Sequence, residues 1–221
     1  MGVKRSYGEG CLISHALDLV GERWAMLVVR ELLLGPKRFT GLLNGLPGMS
    51  ANVLSQRLRE LEEAGVVSRL RLDPPSSAWV YELTEWGRGL ERALFELGKW
   101  AADSPQQDRR LPWSADSLLL AIRTLDQCAE DSADDESAQG TVALRVEEDT
   151  FTVTLRPDGL KVVRGYPTAP DATVETDLET FHRIIIGDES FAEAEAASRV
   201  KAVGASEVIG RMAAAMLLPA S

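Results

Sequence analysis

The sequence predicts two units of different class. The first is mainly α, a helix, a tight turn and a helix followed by a β-hairpin; the second is an α+β unit with a mostly antiparallel sheet covered by helices. Three observations carry this. Apolar residues recur mostly at helical spacing over the first hundred residues, whereas alternation dominates from Thr141 to Gly165. Between them "ADSPQQDRRLPW", Ala102 to Trp113, breaks the periodicity with two prolines and consecutive polar residues. The charge divides too: residues 1–110 hold 15 basic and 14 acidic side chains, and residues 111–221 hold 9 and 20. The expected domains are residues 1–102 and 114–221, joined by a linker over 103–113.

Ile13, Leu17, Val20 and Trp24 recur at i, i+4, i+7 and i+11, with Gly21 expected to split the stripe into two helices. The second runs from about Glu22 to Leu34 and ends at "GPKRF", where Gly35 supplies the cap and Pro36 prevents continuation. "TGLLNGL" is a short helix, "PGM" a turn, and Ser50 is placed to cap the next helix, "ANVLSQRLRELEEAG", through its hydroxyl. "VVSRLRL" and "WVYEL" are rich in β-branched, aromatic and leucine residues and flank "DPPSSA", a hairpin with a longer loop. Thr84 then caps a helix whose Leu90, Leu94, Leu97 and Ala101 fall at helical spacing, with Gly87 and Gly89 weakening its first turn.

In the helix after Ser50, Leu54, Leu58 and Leu61 fall within roughly a 60° arc at about 100° per residue. Asn52, Ser55, Gln56, Arg59 and Glu63 take the other side. Asn and Gln can pair bidentately with adenine and Arg with guanine, so this face carries donors and acceptors suited to base edges; a solvated surface is the alternative. Helix, turn, helix and hairpin in that order is a winged helix-turn-helix, whose second helix enters the major groove.

From "GERW" through "LLLGPKRF", "LPGMS" and "LSQRLRELEEAGVVSR" to "YELTEWG", about residues 8–102, the chain resembles the HxlR-type winged-helix transcription regulators, relatives of the MarR group. The resemblance implies a homodimer on double-stranded DNA, paired through the N-terminal helix and the helix after the wing, with two recognition helices in successive major grooves. It places Ser50, Ala51, Asn52, Ser55, Gln56 and Arg59 as base-contacting residues. Arg59 has Glu63 four residues on, so a surface ion pair is its alternative, and Arg57 can pair with Glu60. The wing tip "DPPSSA" lacks the basic residues usual in the family, which leaves Arg69 and Arg71 on the preceding strand as expected phosphate contacts. Lys37 and Arg38 are expected to grip phosphate before the first helix of the pair, with a solvated loop as the alternative.

A formal charge of −10 argues against nucleic acid only if it is spread evenly. It is not: Lys37 to Arg71 carries six basic and three acidic residues, a local +3, and phosphate responds to charge within a Debye length of roughly 8 to 10 Å.

Cys11 and Cys128 are too few for a disulfide scaffold and fit a reducing compartment. With no secretory pattern in "MGVKRSYGEGCLISHAL" and no apolar run near the roughly 20 residues of a membrane span, a cytoplasmic location away from the membrane is expected. The family resemblance makes Cys11 a candidate thiol switch, with a buried residue at a dimer contact as the alternative; Cys128 reads as core. His15 and His182 stand apart with no ligand cluster, and the chain has no G-x-S-x-G elbow, P-loop or G-x-G-x-x-G turn. No metal, cofactor or enzymatic activity is expected.

In the second unit a helix from about Ala115 to Ala129 leads through the acidic "AEDSADDESAQG" to strands "TVALRVEE", "TFTVTLRP" and "GLKVVRG", the last two joined by an "RPDG" turn. "ATVET" is a fourth strand, a helix with Leu178, Phe181, Ile184 and Ile185 follows, and "SRVKAVG" is a fifth strand before the last helix, with Val208, Met212 and Met216 in line. The order, most clearly Pro170 to Met216, resembles the sterol carrier protein type-two-like fold. That resemblance implies an apolar cavity for a small hydrophobic ligand, with Phe151, Val153, Phe181, Ile185, Met212 and Met216 as candidate lining and plain core as the alternative. The leading expectation is a sequence-specific dimeric regulator of transcription controlled through the second unit. The alternatives are a lipid or small-molecule carrier that uses its winged helix to dimerise, and a redox-sensing regulator acting through Cys11.

Overall fold

The computed structural model describes residues 6–73, 76–125, 139–157 and 159–218. Cys128, most of the acidic stretch Ala129–Gly140, Asp158 of the "RPDG" turn and Pro74–Pro75 of the hairpin loop lie outside the described residues. The chain divides into two compact units, Met1–Phe95 and Glu96–Ser221.

The first unit opens with α1 (Leu12–Val20), which stops at Gly21, and α2 (Ala25–Leu32), entered through Trp24 in a left-handed conformation (φ 79°). Val28, Val29 and Leu32 of α2 are fully buried, whereas Ile13 and Leu17 of α1 are 71% and 44% exposed. Of the stripe read from the sequence, Ile13 and Leu17 are therefore open, Val20 is buried at the end of α1, and Trp24 is partly buried at the entry to α2. Then α3 (Phe39–Asn44), a turn through Pro47 and Gly48, and α4 (Ala51–Glu63) form the helix pair.

Helix α4 ends in a Schellman arrangement: the Val66 amide donates to Leu61 O at 2.9 Å and the Gly65 amide to Glu62 O at 3.0 Å. This requires Gly65 at φ +71°, a region costly for a side-chain-bearing residue. β1 (Val67–Arg71) pairs antiparallel with β2 (Trp79–Leu83), Val67 opposite Leu83 and Arg71 opposite Trp79. The helix expected after Thr84 is two: α5 (Glu85–Arg88), capped by the Thr84 hydroxyl, and α6 (Leu90–Ala102), separated at Gly89.

In the second unit α7 (Ala115–Leu125) precedes β3 (Thr141–Val146), β4 (Asp149–Arg156), β5 (Gly159–Arg164) and β6 (Ala172–Thr176). α8 (Leu178–Ile185), α9 (Phe191–Ala196), β7 (Val200–Gly204) and α10 (Ser206–Ala215) complete it. The sheet is mixed, in the order β5-β4-β3-β6-β7: β3–β6 is parallel and the other pairings are antiparallel. Alternation puts Val142, Leu144, Phe151, Val153, Val162 and Val174 on one buried face, where α7, α8 and α10 supply Leu118, Leu119, Ile185 and Met212.

Arg164 falls on that inward face, and its charge is met there. Its guanidinium reaches both oxygens of fully buried Asp116 at 2.5 and 2.6 Å, pairs with Asp149, and lies 4.8 Å from the Phe151 ring centroid. Burial works against the Arg164 charge, but Asp116 and Asp149 outweigh it and raise its pKa above the usual value. Among the described residues no helix is long and apolar enough to cross a membrane.

Candidate nucleic-acid interface

α4 is positioned by its cap and its leucines. The Ser50 hydroxyl accepts from the Val53 amide at 3.4 Å, and Leu54, Leu58 and Leu61 are at most 1% exposed. Their burial sets the rotation of the helix and leaves Ser50, Ala51, Asn52, Ser55, Gln56 and Arg59 together on the exposed side. Glu63 is not the partner of Arg59 here: Arg59 Nε donates to Ser55 O at 3.4 Å, a long contact that binding can break easily. Gln56 Nε2 donates to Glu60 Oε1 at 3.0 Å, while Glu60 also pairs with buried Arg57, as the sequence spacing suggested. Glu60 thus competes with any base for the Gln56 amide.

The basic residues around this helix separate into two kinds. Arg38, Arg69 and Arg71 are exposed. Arg38 Nη2 donates to Ser76 Oγ at 2.9 Å, tying the start of α3 to the hairpin loop, and Arg71 Nε donates to Ser77 O at 3.2 Å.

Lys37 is different. It is 4% exposed, its ammonium lies 2.6 Å from Glu31 Oε2, and its backbone exchanges hydrogen bonds of 3.0 and 2.8 Å with Tyr81. The expected phosphate contact by Lys37 is at odds with this placement, because the charge is enclosed and already met by an acid. The partner of Lys37 is six residues upstream, outside the basic segment that Lys37 opens. The available signal was Glu31, an acid on the buried stripe of "VVRELLLG".

Cys11 precedes α1 and is exposed. A hydrogen bond from the Ser14 backbone amide, supported by that of Ile13, lowers its thiol below the ordinary value. The burial expected under the alternative reading is absent in the single chain.

In the second unit Phe181, Ile185, Met212 and Met216 share one enclosed apolar space with Leu144 and Val174, whereas Phe151 and Val153 sit in the core beside it. The space measures about 20 Å³, enough for roughly one water molecule and far below a lipid. The expected lining converges in four of its six members on a closed core.

A family profile described as HxlR-like helix-turn-helix matches residues 19–109, which includes the helix pair and the hairpin. The HTH-type transcriptional regulator YvaP of Bacillus subtilis is 41% identical over 88 residues, 40% of this chain and 82% of its own. YodB of the same organism, also an HTH-type transcriptional regulator, is 37% identical over 89 residues, 40% of this chain and 80% of its own. The solved structure of reduced YodB aligns at 33% identity over 45% of this chain and 100% of that one, with a TM-score of 0.40. With an exposed polar face on a capped second helix, and with relatives matched over most of their length, the chain belongs to the HxlR-like helix-turn-helix family of transcriptional regulators.

Proposed function

We propose that the chain is a sequence-specific DNA-binding regulator that acts as a homodimer, with a winged-helix first unit. The observation that carries this is the division of α4 into a buried leucine seat and an exposed face of Ser50, Ala51, Asn52, Ser55, Gln56 and Arg59, a set able to read adenine and guanine edges. Arg38, Arg69 and Arg71 supply phosphate contacts that hold the helix in register. The dimer is supported by the apolar surface of the first unit, where Leu12 and Ile13 are 85% and 71% exposed beside a groove of about 240 Å³ lined by Leu19, Val20, Val66, Trp86 and Leu90. A two-fold dimer reads two half-sites about one helical turn apart. Duplexes carrying two such half-sites should bind far more tightly than duplexes carrying one, and the protein should sediment as a dimer. Equal affinity for both, with a monomeric protein, refutes this reading.

A second reading concerns control. The exposed Cys11 with its lowered thiol pKa favours a redox-responsive regulator. DNA binding that survives diamide unchanged refutes it. Control by a small hydrophobic ligand needs the closed space around Met212 and Met216 to expand, and fatty acids or small aromatics that leave the thermal transition in place exclude that route.

A further inference from the structure

One face of the β1–β2 hairpin carries Arg69, Arg71, Trp79 and Tyr81. The register sets Arg69 against Tyr81 and Arg71 against Trp79, and directly opposed residues in a ladder share a face. The Arg69 guanidinium lies 4.6 Å from the Trp79 ring centroid and 5.8 Å from that of Tyr81. Through Ser77, Arg71 is fastened to the loop, and through Ser76 so is Arg38. Arg69 therefore packs on one indole that is 51% exposed, Arg71 stands opposite it in the ladder, and Arg38 is tied to the adjoining loop. Of the nearby acids, Glu82 stands opposite Ser68 on the other face, and Asp73 follows the end of β1.

We propose that Trp79 is a DNA-contacting residue of the hairpin, packing its indole on the deoxyribose edge of the bound duplex while holding Arg69 for the neighbouring phosphate. The proposal rests on the reading of the chain as a DNA-binding regulator. An indole face accepts a guanidinium and also tolerates any nucleotide, so the contact adds affinity without sequence preference. Stacking fixes the plane of the Arg69 guanidinium, which then loses less freedom on meeting phosphate. Of the described loop residues, Ser76 and Ser77 bring no charge and Asp73 is acidic, so the loop offers phosphate no positive charge. The strands supply it instead, and a large exposed aromatic held by an arginine has no packing role in the core.

The test is fluorescence anisotropy with the full chain on a preferred duplex and on a short random-sequence duplex, using Trp79→Ala, Trp79→Phe, Arg69→Ala and the Trp79→Ala/Arg69→Ala pair. Trp79→Ala should lose about threefold to tenfold on both duplexes, Trp79→Phe should keep most of the affinity, and the double variant should lose less than the product of the single losses. Trp79→Thr, a strong strand former, gives the same reading if Trp79→Ala fails to fold. Trp79→Ala binding within twofold of the parent, or losses that multiply with those of Arg69→Ala, overturns the proposal. A parent protein that binds neither duplex refutes the DNA-binding reading itself.

Discussion

The ammonium of Lys37 sits 2.6 Å from the carboxylate of Glu31, and both side chains are enclosed in the first unit. Arg30 meets the other Glu31 oxygen at 2.8 Å. Because Lys37 also pairs its backbone with Tyr81, this ion pair fastens the end of α2 to the hairpin that follows α4. Lys37→Ala should lower the unfolding free energy by about 3 kcal/mol, the lower end of the range for breaking a buried pair, since Arg30 still serves Glu31. The urea midpoint should fall while the salt dependence of DNA binding keeps its slope. A flatter salt slope with unchanged stability would return Lys37 to the phosphate contacts.

Ser50 holds the first turn of α4. Ser50→Ala should cost about 1 kcal/mol of stability, read from the urea midpoint, and Ser50→Gly only a few tenths. A midpoint unchanged by Ser50→Ala would mean the hydroxyl is not capping in solution.

Arg59→Ala should cost about 1 to 3 kcal/mol on the preferred duplex and much less on random sequence, if Arg59 leaves Ser55 O for a guanine edge. Titration of both duplexes decides this. Equal losses would make Arg59 a phosphate contact.

Much of the local structure that exposes this face of α4 was legible in the sequence because its causes are local. Ser50 and Thr84 cap where their hydroxyls allow, Gly65 ends α4, and leucines at helical spacing fix which side of α4 is free. The places that escaped depend on partners distant in space. Lys37 was legible as a cation but not as the partner of Glu31, and Arg164 as a strand residue but not as a buried charge beneath Asp116, 48 residues away. The pairing of β3 parallel to β6 is a choice of strand order that alternation alone leaves open. Apolar spacing on α1 looked like core, yet Ile13 and Leu17 are exposed in the single chain, because periodicity marks a face that will be covered without saying by what.

Asp116 is fully buried and faces Arg164. Asp116→Ala should destabilise the chain by about 3 kcal/mol by leaving the guanidinium with half-exposed Asp149 as its remaining acid. Calorimetry or urea unfolding checks this, and a loss below about 1 kcal/mol would show that water reaches Arg164 readily.

The lowered pKa of Cys11 has a kinetic consequence. A depressed pKa means more thiolate at neutral pH, so the rise of alkylation rate with pH should be centred below that of free cysteine. Iodoacetamide kinetics in a Cys128→Ser background measure it. A profile centred at or above that of free cysteine would remove the physical basis for a Cys11 switch.

A sequence-specific regulator of this fold needs the exposed face of α4 to read bases. Selection of bound duplexes from a random pool tests it most directly, run in parallel for the parent and for a variant with Asn52, Gln56 and Arg59 all changed to alanine. The parent should enrich a near-palindrome, and the variant should retain DNA but enrich nothing. The same sequence enriched by both proteins, or no enrichment by the parent, would contradict it.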